Sequence, residues 1–252
     1  MHMHSNQIKI VILAAGEGKR MQNELPKVLI PLRGKPLIAH VLDAVKTSGV
    51  SLKPLIVVGQ QRELVMKTLG EDYEYVAQEE QLGTGHALLA TAPLLENKIE
   101  NIMVLYGDMP FISPKTISNI VNYHISHNGN MTMGTVVLED FNEWRKSFYS
   151  FGRVARDANG DVEKIIYGKN LTPKQLEITE VDPAYFCFKA DWLWPKLRQL
   201  ENKNSHGEYY LTDLVGLAVR EGTPPKTVQI PPEEALGANS KEDLEILENL
   251  TV

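Results

Sequence analysis

With one cysteine in 252 residues, the chain can form no internal disulfide and no cysteine-based zinc site. Cys187 lies in the apolar run 185–188, where a buried structural thiol is expected rather than a nucleophile. A reducing, cytoplasmic setting is the natural one for such a chain. No run approaches the roughly 18 consecutive apolar residues of a membrane span, and no apolar signal segment precedes a small-residue cleavage site. Basic residues are in deficit, 26 Lys and Arg against 32 Asp and Glu, for a net charge of -6. With neither a basic run nor interleaved aromatics, a nucleic-acid partner is not expected, nor an acidic membrane surface. Internal repeats and low-complexity segments are also lacking. Residues 1–7, opening on Met1-His2-Met3-His4, read as a loose or appended terminus rather than a metal site. Nothing in the sequence speaks to oligomeric state.

What is present is ordinary globular material, 43% hydrophobic and 23% charged. The first half alternates short apolar runs with amphipathic stretches: 8–13, 55–58, 73–76 and 102–106 read as strands, each followed by a helical pattern. In 37–45, apolar residues at 37, 38, 41, 42 and 45 mark one helix face, with Pro36 at its entry and Gly49 at its exit. A βαβα pattern predicts an α/β fold whose sheet is mostly parallel and covered on both faces. From about residue 131 the strand patterns crowd together at 131–138, 152–156, 162–166 and 184–188, with a turn at Ala158-Asn159-Gly160-Asp161. These predict antiparallel additions to the sheet. Helices are expected over 87–95 and over the acidic tail 241–250. The whole of 8–252 is expected to be one domain, with a first half at 8–130 and a second half at 131–252.

The first strand runs directly into Ala14-Ala15-Gly16-Glu17-Gly18-Lys19-Arg20-Met21. In an open parallel sheet, ligands bind beyond the carboxyl ends of the strands. The spacing fits neither the dinucleotide-binding G-x-G-x-x-G nor the Walker A loop. Small residues at 14, 15 and 16 let backbone N–H groups approach a phosphate or a base, and Arg20 adds a forked donor suited to phosphate oxygens. Lys27 follows in Leu25-Pro26-Lys27, so two cations bracket the loop.

The fourth strand ends in Tyr106-Gly107-Asp108-Met109-Pro110, placing a carboxylate at the same sheet edge. Asp108 suits Mg²⁺, which takes one or two protein oxygens and completes its shell with phosphate and water. The alternative from spacing alone is that it only caps a helix beginning near Ser113. Between these elements lies the polar loop Gln78-Glu79-Glu80-Gln81-Leu82-Gly83-Thr84-Gly85-His86. The donor and acceptor of a Gln78 amide fit the imide edge of uracil, and Gly83 lets backbone come close. His86, at a helix start, reads as a packing or capping residue rather than a base.

LAAGEGKRM, LPKVL, QEEQLGTGHA, VLYGDMPFIS and GEYYLTDLV together resemble the uridylyltransferase domain of the bacterial N-acetylglucosamine-1-phosphate uridylyltransferases (GlmU) over residues 8–245. The resemblance implies a Rossmann-like nucleotidyltransferase fold, related to the GT-A fold. It implies a cytoplasmic enzyme of cell-envelope precursor synthesis, with UTP and a sugar 1-phosphate as substrates and UDP-N-acetylglucosamine and pyrophosphate as products. Matched residue by residue, Leu13, Ala14, Ala15, Gly16 and Gly18 would hold the nucleotide, with Gln78, Gly83 and Thr84 completing base recognition. Arg20 and Lys27 would bind phosphates, and Asp108 with Asn239 would hold Mg²⁺. Tyr106, Gly107 and Gly152 would line the sugar.

The chain departs from that pattern on the sugar side. Where the family reads IVEHKDA, this sequence has Ile165-Ile166-Tyr167-Gly168-Lys169-Asn170, with Tyr167 in place of a glutamate. Where the family reads INTG, it has Val181-Asp182-Pro183-Ala184, a carboxylate in place of an amide. The family's β-helix acetyltransferase domain has no counterpart in the sequence, so acetyl transfer is not expected. Because a sugar 1-phosphate is already ionised, the expected transfer needs no Ser or Cys nucleophile and no general base. Two other readings stay open: the same chemistry on a different sugar phosphate or with CTP, and an inactive protein that binds nucleotide sugars.

Overall fold

The computed structural model describes residues 7–16, 18, 21, 24–51, 53–167 and 171–250. In the first strand, β1 (Ile8–Ala14), alternate side chains point to opposite faces. Ile8, Ile10, Ile12 and Ala14 enter one core and Val11 and Leu13 enter another, and all six are buried. A strand apolar on both faces must be covered on both, and this one lies inside the sheet.

The chain continues through a small hairpin, β2 (Pro31–Leu32) and β3 (Lys35–Pro36), into α1 (Leu37–Ser48), which ends at Gly49. Then come β4 (Leu55–Val58), α2 (Arg62–Leu69), β5 (Glu74–Ala77), α3 (Thr84–Leu89), α4 (Ala92–Leu95), β6 (Asn101–Tyr106) and α5 (Pro114–His127). The second half adds β7 (Met131–Val137), β8 (Gly152–Arg156), β9 (Val162–Ile166), α6 (Pro173–Leu176), β10 (Glu180–Asp182), β11 (Phe186–Lys189), α7 (Ala190–Leu197), α8 (Asp213–Arg220), β12 (Lys226–Gln229) and α9 (Lys241–Asn249). Among the described residues, one ten-stranded sheet runs β5-β4-β1-β6-β11-β7-β10-β8-β9, with β12 also paired to β7. Apolar side chains of α1, α2, α5 and α9 fill the core on one face, and those of α3, α4, α7 and α8 fill the core on the other.

β1 pairs in parallel with β4 on one side and with β6 on the other, and β4 pairs in parallel with β5. Four consecutive strand exits therefore open on one edge: the segments after Ala14, Val58, Ala77 and Tyr106. The chain winds outward from β1 to β5 and then returns to β1's other side, which makes β1 and β6 the topological switch point where open sheets bind ligands. A bond from Gly107 N to Leu13 O, 3.0 Å long, ties these two exits together.

Two sequence expectations are corrected. The stretch 87–95 is two helices rather than one, because Pro93 has no N–H to offer the carbonyl of Leu89 and the turn at Thr91 closes on itself through Thr91 Oγ1, which donates to Leu88 O at 2.7 Å. The additions to the sheet are not all antiparallel: β7 with β11 and β10, and β8 with β10 and β9, are, but β12 runs parallel to β7. β11 runs opposite to β7, and two helices intervene before the chain re-enters the sheet in the β7 direction. No helix among the described residues is long and apolar enough to cross a membrane.

The polar loop after β5 is clamped by the segment before α8. Tyr209 N donates to Leu82 O at 2.8 Å, Gly85 N to Tyr209 O at 2.8 Å, and Leu211 N to Thr84 Oγ1 at 2.9 Å. Gly83 sits at the centre with φ +99°, and a Cβ there would meet Tyr209 O at 2.6 Å. Gly83→Ala is therefore expected to lower unfolding stability by about 1–3 kcal/mol, from the strained backbone and the overlap together. Denaturant titration checks this, and a variant within experimental error of the parent would show that the clamp gives way freely.

Candidate functional site

The exits of β1, β5 and β6, with the segment before α9, enclose a cavity of about 640 Å³. Of the residues singled out from sequence, Leu13, Ala14, Ala15, Gly16, Gly18, Lys27, Gln78, Gly83, Thr84, Tyr106, Asp108 and Asn239 line it. The structure thus brings residues from five separate segments to one wall. Arg20 lies outside the described residues. Gly107, Gly152, Tyr167 and Asp182 are not among the lining residues.

At one end of the cavity, Lys27 follows Pro26 in a short 3-10 turn over 27–29. Gly18, with φ +64°, folds the first loop onto it; a Cβ on Gly18 would stand 2.7 Å from Lys27 Cβ, so this contact is open to glycine alone. The Lys27 ammonium forms an ion pair with Asp108 and donates to Asn239 Oδ1 at 2.8 Å. Both partners are held from behind. Ala238 N donates to Asp108 O at 2.9 Å, joining the segment before α9 to the exit of β6, and Asn239 N donates to Asp243 Oδ2 at 3.2 Å. Asp108 does not cap the following helix: Ser113 does, its hydroxyl accepting from Thr116 N at 3.1 Å. A carboxylate and an amide oxygen already converge on one cation here, which is the kind of hard-oxygen pair that suits Mg²⁺ completed by phosphate and water. No larger group of three or more His, Cys, Asp or Glu able to hold a metal occurs among the described residues.

At the other end, Gln78 is buried, with Nε2 donating to Gly83 O at 3.1 Å and bonded to His86 Nδ1 at 3.1 Å. His86 thereby supports the loop. The Thr84 hydroxyl is engaged as acceptor for Leu211 N. Lining residues that sequence reasoning did not single out are Val28, Gln81, Ala87 and Glu208. Gln81 stood inside a quoted motif, and its polarity was the available signal. Glu208 stood inside the quoted GEYYLTDLV, but it lies 130 positions downstream of Gln78 and only the clamp brings it to this cavity. No serine, cysteine or histidine is among the described lining residues. Cys187 is fully buried, and burial pushes its thiol far above the ordinary range, in keeping with a structural role.

The residues that depart from the family pattern form a second cluster beside this cavity. β10 and β8 place Asp182 opposite Gly152. The Tyr167 ring lies over Gly152, where a Cβ would stand 2.5 Å from it. Asp182 is 4% exposed; Oδ1 accepts from Ala184 N at 2.7 Å and Oδ2 from Tyr167 Oη at 3.2 Å. No ion pair involves it among the described residues, and burial raises its carboxyl from an ordinary 3.8 to about 7, against the opposing pull of these two donors. Tyr106 connects the two clusters: burial raises its hydroxyl, and the Asp182 and Asp108 charges add to the effect. Tyr167 also lines a separate cavity of about 530 Å³, with Thr212 and Arg220.

A model of the MobA-like NTP transferase domain matches residues 10–212. Proteins named bifunctional protein GlmU are similar over nearly the whole chain. That of Brevibacillus brevis is 38% identical over 242 residues, 95% of this chain and 50% of the relative. That of Desulfotalea psychrophila is 38% identical over 242 residues, 95% of this chain and 69% of the relative. That of Paraburkholderia phytofirmans is 41% identical over 248 residues, 96% and 52%. The chain thus spans about half the length of the first and third of these. A solved structure of UDP-glucose pyrophosphorylase complexed with UDP-glucose superposes with a TM-score of 0.74 over 96% of this chain and 97% of its own, at 18% identity, a likeness of fold.

Because folded Asp182 keeps its proton up to about pH 7 while the unfolded chain loses it near 3.8, the native state binds the extra proton between these values. Stability due to this group falls as pH rises through that window and is level above it. Asp182→Asn is therefore expected to raise the Tm at pH 8 and to change it little at pH 4. Thermal melts at both pH values decide the matter: an equal gain at each, or none at pH 8, would rule out the buried carboxyl as the cause.

Proposed function

The chain belongs to the MobA-like NTP transferase family, and from that premise we propose that it couples UTP to a sugar 1-phosphate and releases pyrophosphate. The acceptor on this reading is N-acetylglucosamine 1-phosphate or a related hexosamine 1-phosphate. The observation that carries the proposal is the convergence of Lys27, Asp108 and Asn239 at one end of a cavity whose other walls are the small residues 13–16 and the loop 78–84. Residues 8–130 would then bind the nucleotide and 131–252 complete the sugar side, within one nucleotidyltransferase domain. The resemblance of QEEQLGTGHA and GEYYLTDLV to the uridylyltransferases, and the similarity to GlmU proteins, support a hexosamine.

In the reaction, an oxygen of the sugar 1-phosphate attacks the α-phosphorus of UTP, the new P–O bond forms, and the bond to the β-phosphate oxygen breaks. The nucleophile is an anion at neutral pH, which agrees with the lack of serine, cysteine and histidine among the described lining residues. The protein's task is then to align two polyanions and offset their charge. Backbone N–H groups of 14–16 approach the triphosphate, since their side chains are too small to block it. Lys27, the cation nearest the loop among the described lining residues, would exchange Asp108 and Asn239 for phosphate oxygens. Asp108 and Asn239 would hold Mg²⁺, which when bound offsets the charge of the triphosphate and the leaving pyrophosphate.

Pyrophosphate release with UTP, Mg²⁺ and a panel of sugar 1-phosphates tests the proposal. Lys27→Ala and Asp108→Ala are each expected to lower kcat/KM by about 100-fold or more, the scale seen when a charge-stabilising group is removed from a reaction centre. Near-normal turnover by either variant would overturn the assignment. Nucleotide binding without pyrophosphate release on any acceptor would instead favour an inactive nucleotide-sugar-binding protein.

A further inference from the structure

Asn239 stands just before α9, and packing alone does not fix that end of the helix. The buried side chain of α9, Leu247, lies near its other end, where Arg33 Nη2 also donates to Leu247 O at 3.1 Å. At the end beside the cavity, hydrogen bonds meet on one carboxylate. Asp243 Oδ2 accepts from Asn239 N at 3.2 Å and from Ser240 Oγ at 2.9 Å, and Oδ1 accepts from Ser147 Oγ at 2.7 Å. Asn239 N also donates to Gly237 O at 3.0 Å. An ordinary capping box accounts for only part of this arrangement. In α6 the box is complete: Gln175 N donates to the Thr172 hydroxyl and Gln175 Oε1 accepts from N of the same residue, the cap, at 2.9 Å. In α9, Asp243 N likewise donates to the cap, Ser240 Oγ, at 3.1 Å, but the Asp243 carboxylate reaches past Ser240 to the N–H of Asn239. Its other oxygen leaves the helix altogether for Ser147, 96 residues earlier.

Ser147 belongs to the 3-10 segment 143–150, which leads through Phe151 into Gly152, the first residue of β8. Core packing sets this segment in place: Phe148 is fully buried, and the fully buried Arg153 donates to Phe148 O at 3.3 Å and to Phe151 O at 3.1 Å. We propose that Asp243 is a positioning residue for Asn239, with Ser147 as its anchor. Together they hold the Asn239 backbone so that its amide oxygen stays directed at the point where Lys27 and Asp108 meet. Groups that orient the ligands of a metal change its affinity by about 10- to 100-fold when removed. The inference rests on the reading above that Asp108 and Asn239 hold Mg²⁺, and extends it to the residues that set the second of these in place. Because the anchor lies on the segment entering β8, the second half of the chain fixes a ligand that serves the triphosphate. The exposed ion pair of Lys146 with Glu242 joins the same two segments without involving Asp243.

Equilibrium binding of UTP, with Mg²⁺ and with EDTA in its place, tests this without turnover. The readout is the factor by which Mg²⁺ strengthens binding, and Asn239→Ala, which removes the ligand itself, sets the scale of its loss. Asp243→Ala is expected to lower the factor by about tenfold with UTP affinity in EDTA unchanged, and Ser147→Ala by a smaller amount. In the Asn239→Ala background neither is expected to lower it further, since both act through Asn239. Asp243→Asn is expected to keep the parent's factor, its carbonyl oxygen taking the Asn239 N–H and its amide donating to the Ser147 hydroxyl. Lys146→Ala, which breaks only the exposed pair, is expected to keep it as well. An Asp243→Asn variant that loses as much as Asp243→Ala would make charge the cause and overturn the positioning role. A folded Asp243→Ala variant with the parent's factor overturns it too, and leaves the proposed reaction intact. Where Asp243→Ala fails to fold, Ser147→Ala with the parent's factor is the overturning result. A parent whose UTP binding Mg²⁺ does not strengthen, or an Asn239→Ala variant that keeps the parent's factor, overturns the metal reading and the inference with it.

Discussion

The Lys27 ammonium is held between the carboxylate of Asp108, 81 residues away, and the amide oxygen of Asn239, 212 residues away. That convergence is available only because β1 and β6 run parallel and adjacent, so that the segments leaving them share an edge. The segment before α9 is drawn to the same point by its bond to the Asp108 carbonyl. A cation between two oxygens is electrostatically satisfied at rest; on the proposed reading, both oxygens and the cation would become available together when a polyanion arrives. The rest of the cavity wall surrounds this charge centre: the small residues 13–16 on one side, the amides Gln78 and Gln81 on another, and an apolar sheet beneath.

The clamp between 82–85 and 209–211 has a second consequence. It fastens the polar loop after β5 to the segment that carries Glu208 into the cavity, so one group of hydrogen bonds sets the geometry on two sides of the site. Thr84 contributes through that clamp, its hydroxyl holding Leu211. His86 works the same way, by fixing the Gln78 amide. Thr84, which read as a ligand contact, is thus partly occupied in holding the cavity wall together, and His86 keeps the packing role its place at a helix start implied.

Asp182 and Tyr167 give the second half its individual character. A buried carboxyl without a cation is costly in its charged form, and the fold meets that cost by raising its proton affinity and by two donors. Tyr106 stands between this group and Asp108, so the charge centre and the altered cluster share one aromatic wall. On the proposed reading, the sugar side of the site thus adjoins a feature in which this chain departs from the family pattern.

The α/β class, the four parallel strands and the edge where ligands bind were legible because they follow from local periodicity: residues 8–14 alternate into two cores, and such a strand cannot be anything but interior. Asp108 and the loop 78–84 were legible for a similar reason, each standing just past a strand, and Lys27 from its place after Pro26 at the end of the first loop. The break at Thr91 was readable in principle from Pro93 but was masked by a continuous apolar pattern. What the sequence by itself determined was which residue types stand at the strand exits. What only the tertiary structure decided was which of their atoms remain free. That Gln78 has spent its N–H groups, and that, among the described residues, Gln81 Nε2 finds no partner and Asp182 no cation, depend on neighbours such as Gln60, His86 and Tyr167. A hydrogen bond is set by distance and direction in space, and neither is encoded in the spacing of residues along the chain.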